Sequence, residues 1–135
     1  MTDYRRDHLA AAVRERLAAL DPWRAKTAAS MLEDDELLPE VRKICVALGL
    51  LAYHPHRSDK SEPGFPDLVI VGRGGLLFRE LKRENGAVTE AQQVWLGSLE
   101  ELGCDVGVRR PSDLLSGRIT EELTAIRTAR QESSA

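Results

Sequence analysis

The run Asp67-Leu68-Val69-Ile70-Val71 is short, apolar and β-branched, and Gly74-Gly75 separates it from a second apolar run, Leu76 to Lys82. Runs of this kind read as buried strands. Paired glycines between them supply the positive φ angles of a tight hairpin. Side chains alternate along a strand, so Phe78, Glu80 and Lys82 share a face. A two-residue Gly74-Gly75 turn pairs Arg73 with Leu76 and sets Asp67 opposite Lys82. Glu80 then stands on the neighbouring diagonal, about 7–8 Å away on the same face. A three-residue turn would set Asp67 opposite Leu81, on the other face.

Two carboxylates on one strand face repel each other unless a cation lies between them. Oxygen donors without cysteine or histidine suit Mg²⁺ or Mn²⁺ rather than zinc. Such an ion acidifies a bound water and polarises a phosphoryl oxygen. Lys82 is placed to orient the attacking water or to offset charge in the transition state. The expected chemistry is phosphodiester hydrolysis.

The ordered text resembles the VRR-NUC family of the PD-(D/E)xK nuclease superfamily, in particular its small stand-alone phage and bacterial members. The pieces are Gly49 through Tyr53-His54, Ser58, Gly64-Phe65-Pro66-Asp67-Leu68, Phe78-Arg79-Glu80-Leu81-Lys82, Thr89 with Gln92, Trp95-Leu96, and Val108 with Arg110-Pro111-Ser112-Asp113-Leu114. The resemblance covers roughly residues 33 to 118. Arg109 and Leu50 depart from the pattern, standing where an aromatic residue and a tryptophan are expected. The resemblance implies a restriction-endonuclease-like α/β core, a small central mixed sheet flanked by helices. It implies Mg²⁺ or Mn²⁺ on Asp67, Glu80 and the Leu81 carbonyl, with Lys82 catalytic and Gln92 near the lysine or the scissile phosphate. It also implies a metal-facing acid on the helix before the first strand. Glu36 is favoured, with Glu33, Asp34 and Glu40 as alternatives. The implied substrate is DNA, branched as in a flap or four-way junction, cut by a homodimer with no organic cofactor.

A chain of 135 residues suits one domain with a single core. Its formal net charge of −3 runs against the basic character usual in nucleic-acid proteins. The acids are uneven, however, concentrated in Glu33 to Glu40 and Glu121-Glu122, and a metal site itself needs carboxylates. No apolar stretch is long enough to span a membrane and no signal-peptide pattern occurs, so a cytoplasmic protein is expected. Cys45 and Cys104 lack metal spacing and read as small buried hydrophobes.

The remaining text divides into an N-terminal amphipathic helix and connector (1–30), a nuclease domain (31–127) and a polar tail (128–135). Tyr4 to Leu20 has the stripe Leu9, Val13, Leu17 and Leu20. Asp21-Pro22 reads as its end, with 21–30 connecting onward. A helix from Asp34 or Asp35 to Leu48 tolerates Pro39 only in its first turn and stops at Gly49. There Glu36 has a structural alternative as a helix-dipole acid.

Leu50 to His54 reads as the first strand. In the polar loop after it, His54, Arg57 and Lys60 are candidate nucleic-acid contacts. Thr89 with Gln92 forms a capping box opening a helix with the stripe Val94, Trp95, Leu99 and Leu102. Cys104 to Val108 is the final strand and Ser112-Asp113 an N-cap. Arg110 is a candidate phosphate binder, its alternative being a salt bridge to Asp105 or Asp113. Ile119 to Ile126 is the last helix. Two other readings stay open: a nucleic-acid-binding module without turnover on the same fold, and an unrelated α/β protein whose carboxylates are surface charges.

Overall fold

The structure is a computed structural model that describes Tyr4, residues 10–55 and residues 62–129. It is an α/β fold whose four-stranded mixed sheet has the order β1-β2-β3-β4. Strands β1 (Leu51–Tyr53), β2 (Leu68–Gly72) and β3 (Gly75–Leu81) run antiparallel in turn, and β4 (Asp105–Arg109) joins β3 in parallel. A parallel neighbour requires a crossover, here made by the helix Glu90–Glu101.

The hairpin differs from its expected form in two respects. Gly72 pairs with Gly75, so the two-residue loop is Arg73-Gly74 rather than Gly74-Gly75. The register slips by two residues, which preserves side-chain parity. Leu68 faces Arg79, and continuing the ladder by one step sets Asp67 opposite Glu80 rather than Lys82. The glycines are not there for positive φ either, since that conformation belongs to Gly49, Gly64, Gly103 and Gly117 among the described residues. They make room for the chain crossing the hairpin tip. Gly74 N–H donates to the Ile126 carbonyl at 2.9 Å, and a Cβ on Gly72 or Gly74 would run into the carbonyls of Ile126 or Thr128.

Helices α1 (Ala10–Ala18) and α2 (Pro22–Ser30) precede the sheet. Residues 21–30 are therefore not a plain connector. Asp21 is an N-cap whose carboxylate accepts the Arg24 amide at 2.9 Å, and Pro22 opens the new helix. These helices belong to the same body as the sheet: Ala28 is buried and Arg16 pairs with Asp113 at 3.4 Å.

A π-helical turn, Glu33–Leu37, leads into α3 (Leu38–Ala47). Pro39 lies in the first turn of α3, as expected. A regular helix running through it would lose a hydrogen bond and press the ring on the Asp35 carbonyl. The wider turn instead carries the i→i+5 bond from Leu37 N–H to the Leu32 carbonyl, 2.9 Å. The helix ends at Gly49, φ 70°.

The crossover helix is α4, followed after β4 by α5 (Pro111–Leu115) and α6 (Arg118–Ala125). One sheet face, with Leu68, Ile70, Leu77 and Leu81, packs on Leu37, Val41, Cys45, Ile119 and Leu123. The other, with Phe78, Val106 and Val108, meets Leu96 and Leu99 of α4 and Tyr4. The buried residue of α4 is Leu96, while Val94 and Leu102 are exposed, contrary to the expected stripe. The Thr89 cap fixes the helix phase, so Gln92, Trp95, Leu96 and Leu99 face inward.

Ser112-Asp113 is not the N-cap of α5. Arg110 holds that place, and the Asp113 carboxylate reaches back to its amide at 2.7 Å. Both cysteines are free thiols.

Candidate active site

Asp67 sits one residue before β2, at the end of a loop anchored from two sides. Phe65 makes edge-to-face contacts with Trp95 at 5.1 Å and Phe78 at 6.5 Å between centroids. Gly64, at φ 90°, lies so close to α4 that a Cβ would collide with the Ala91 backbone. The motif Gly64-Phe65-Pro66-Asp67 thus fixes a carboxylate against the first turn of α4. Its Oδ2 accepts the Leu81 amide at 2.8 Å. His54 Nδ1 meets the Asp67 carbonyl at 2.7 Å, so this nitrogen carries the proton and Nε2 is the basic one in the neutral ring.

Glu80 is 2% exposed. Its Oε1 accepts from Gln92 Nε2 at 3.1 Å, while Oε2 is buried with no hydrogen-bond donor. The Asp67 carboxyl beside it supplies a donor only when one of the two acids carries a proton. Burial first, then Asp67 beside it and to a lesser degree Glu33, together push the Glu80 carboxyl up to about 10. Lys82, 8% exposed, acts in the opposite sense. Asp67, Glu80 and Lys82 therefore gather on one side of the β2–β3 end.

Gln92 joins this group and also completes the capping box. Its Oε1 accepts the Thr89 amide at 2.9 Å and its amide donates to Thr89 Oγ1 at 3.2 Å. The expected cap is present, and beyond it the side chain reaches the Glu80 carboxylate. The Leu81 carbonyl projects to the same strand edge as the Leu81 amide, towards Asp67, because a strand residue presents both groups on one side.

Two candidates are corrected. Glu36 is turned to other work: its Oε1 accepts the Leu32 amide at 3.1 Å, and it lines a surface groove with Met31, Pro39, Lys43 and Leu114. Glu33 is the acid at the site, accepting the Arg83 amide at 2.9 Å. The π-helical turn, which puts one more residue in each revolution, accounts for the change. Arg110 is no surface phosphate binder. It is 3% exposed and its guanidinium bonds main-chain carbonyls. Arg57 and Lys60 lie outside the described residues.

A buried cluster that the sequence reading missed lies on the opposite sheet face. Glu122 accepts from Arg109 at 2.7 Å and from Arg79 at 3.2 Å, and Arg79 also pairs with Asp105 at 2.9 Å. Burial pushes the Glu122 carboxyl up, but the two guanidinium groups outweigh it and hold the carboxyl below its ordinary value. The cluster ties α6 to the sheet and explains why Arg109 stands in a β4 position expected to be aromatic.

Among the described residues no group of three or more His, Cys, Asp or Glu is placed to hold a metal. Mg²⁺ does not need such a cage, since it binds through one or two carboxylates and keeps several waters. Asp67, Glu80 and the Leu81 carbonyl form a hard-oxygen set that fits Mg²⁺ or Mn²⁺. Glu80 Oε2 is the buried oxygen without a donor, which a proton shared with Asp67 or a bound cation would satisfy.

Among the described residues no helix is long and apolar enough to cross a membrane. Comparisons of the chain with protein-family models, with curated proteins and with solved structures give no match.

Proposed function

We propose that this protein is a divalent-metal-dependent nuclease that hydrolyses DNA phosphodiester bonds, acting on branched DNA such as flaps or four-way junctions. The observation that carries the reading is the buried Glu80 Oε2 without a donor beside the Asp67 carboxyl. A fold does not bury two such acids together without a proton or a cation to reconcile them. The branched-DNA preference rests on the family resemblance alone.

Bound Mg²⁺ or Mn²⁺ would supply a water acidified for attack and charge compensation at the phosphoryl oxygens. Asp67, held by the Leu81 amide, and Glu80, held by Gln92, orient the ligand oxygens. Lys82 brings its ammonium charge to the same carboxylates and would offset negative charge at the pentacoordinate phosphorus as water attacks and the ester oxygen leaves. His54 holds the Asp67 main chain through Nδ1.

A homodimer is part of this reading. Leu51, Val71 and Leu76 align across β1, β2 and β3, beside Tyr53, and all four are exposed. An uncharged apolar face opposes its own copy without like-charge repulsion, whereas it offers a polyanion no cation.

The test is Mg²⁺-dependent cleavage of labelled flap, fork, four-way and linear substrates by the wild type and by Lys82→Ala. The wild type is expected to cut and the variant not to. A wild type that leaves every substrate intact in both Mg²⁺ and Mn²⁺ removes this function. Tight DNA binding indifferent to Mg²⁺ would then favour the non-catalytic binding module.

A further inference from the structure

The segment that follows Lys82 is wound around a single buried guanidinium. Arg110 Nη1 donates to the carbonyls of Arg83 at 2.7 Å, Glu84 at 3.0 Å and Gly86 at 2.8 Å. Two protons on one nitrogen thereby gather three main-chain carbonyls. Beside them Glu84, almost fully buried, accepts from the Ser112 amide at 2.9 Å and the Ser112 hydroxyl at 2.8 Å. The buried charge of Arg110 thus has an anionic neighbour on the same loop.

This loop touches the candidate site at two points. Gly86 lies along the Lys82 stem, so that a Cβ built on it would stand 3.6 Å from Lys82 Cδ. The Arg83 amide holds the Glu33 carboxylate at 2.9 Å. We propose that Arg110 is a positioning residue for the hydrolytic site: by tying down residues 83 to 86 it sets where Lys82 and Glu33 stand relative to Glu80. The proposal rests on the nuclease reading of Asp67, Glu80 and Lys82. Arg110 touches neither substrate nor metal and acts through the loop.

Arg110→Met keeps the bulk of the side chain and removes its donors, so the three carbonyls lose their common partner. A misplacement of about 1 Å near reacting groups costs about 100-fold in rate. In the folded Arg110→Met protein kcat is expected to fall by about 100-fold with KM within about two-fold, because DNA contacts elsewhere are untouched. Arg110→Lys is expected to recover part of the loss, since an ammonium carries three donors but lacks the planar fork. A folded Arg110→Met protein with wild-type kcat overturns the proposal. So does a loss of activity that only tracks the unfolded fraction, read by circular dichroism on the same samples.

Amide hydrogen exchange at Arg83 and Gly86 separates this idea from the nuclease reading. If the wild type cuts nothing, the nuclease reading fails, and exchange at these two amides still decides whether Arg110 sets the loop. Faster exchange in Arg110→Met, or in Arg110→Lys should the first variant not fold, supports the positioning role. Unchanged exchange overturns it.

Discussion

Gln92 Nε2 donates to Glu80 Oε1 over 3.1 Å while Gln92 Oε1 accepts the Thr89 amide over 2.9 Å. One side chain closes the start of α4 and holds a buried carboxylate of the candidate site. Gln92→Ala is expected to cost about 1 kcal/mol of stability, the usual scale of a cap or a buried hydrogen bond, and about ten-fold in cleavage rate. Gln92→Glu keeps the acceptor, loses the donor and adds a third acid beside Asp67 and Glu80, so it should cut more slowly than Gln92→Ala. Thermal melts and cleavage rates on one substrate check both; equal rates for Gln92→Glu and wild type would contradict the geometry.

Glu80 links the site to pH. Its carboxyl titrates near 10 in the metal-free fold against an ordinary 4.5. The folded state therefore keeps a proton that the unfolded chain has released. Between these values stability falls as pH rises, by up to about 1.4 kcal/mol per pH unit. Below the ordinary value the penalty vanishes. Glu80→Gln is expected to flatten this slope, to raise the metal-free melting temperature at neutral pH and to abolish cleavage. Mg²⁺ binding to the wild type should release about one proton near pH 8, measured by calorimetry in buffers of different ionisation enthalpy. A wild type with no more pH slope than Glu80→Gln would contradict the buried-acid account.

Gly64 combines a positive φ with close approach to the Ala91 backbone. Gly64→Ala meets both obstacles and is expected to destabilise by about 2 kcal/mol. It should also slow cleavage, because the displaced loop carries Asp67. Denaturant melts together with rates per folded molecule read the two effects separately.

The Arg79–Arg109–Glu122 cluster predicts the reverse pattern. Glu122→Gln leaves two buried guanidinium groups short of an anion and should cost about 3 kcal/mol, with the rate per folded molecule unchanged. The Glu122 carboxyl titrates below its ordinary value. Its contribution is therefore complete above the ordinary carboxylate pKa and disappears as pH falls through the lower folded value. A wild type that loses no more stability than Glu122→Gln as pH falls through the acid range would contradict this sign.

Much of this arrangement was legible in the chain. Strand alternation gave the common face of Phe78, Glu80 and Lys82, and Thr89 with Gln92 gave the cap of α4. A two-residue slip of the hairpin left that face intact, because parity rather than exact register decides it. Other features depended on partners distant in sequence. Ile126 and Thr128 dictate the glycines at the hairpin tip, and no local rule announces them. Pro39 signalled a helix boundary but not the π-helical turn that brings Glu33 rather than Glu36 to the site. Arg110 read as a phosphate binder or salt-bridge partner and Arg109 only as a departure from an aromatic position, because burial of an arginine depends on acceptors elsewhere: the carbonyls of 83–86 for one, Glu122 for the other.

The central claim is that Asp67, Glu80 and Lys82 form a metal-dependent hydrolytic site. Its most direct measurement is cleavage of a four-way junction by wild type, Glu80→Gln and Lys82→Ala across a Mg²⁺ titration. Products should rise with Mg²⁺ for the wild type and be absent for both folded variants. Cleavage by Glu80→Gln or Lys82→Ala at the wild-type rate, or wild-type cleavage that persists in excess chelator, would contradict it.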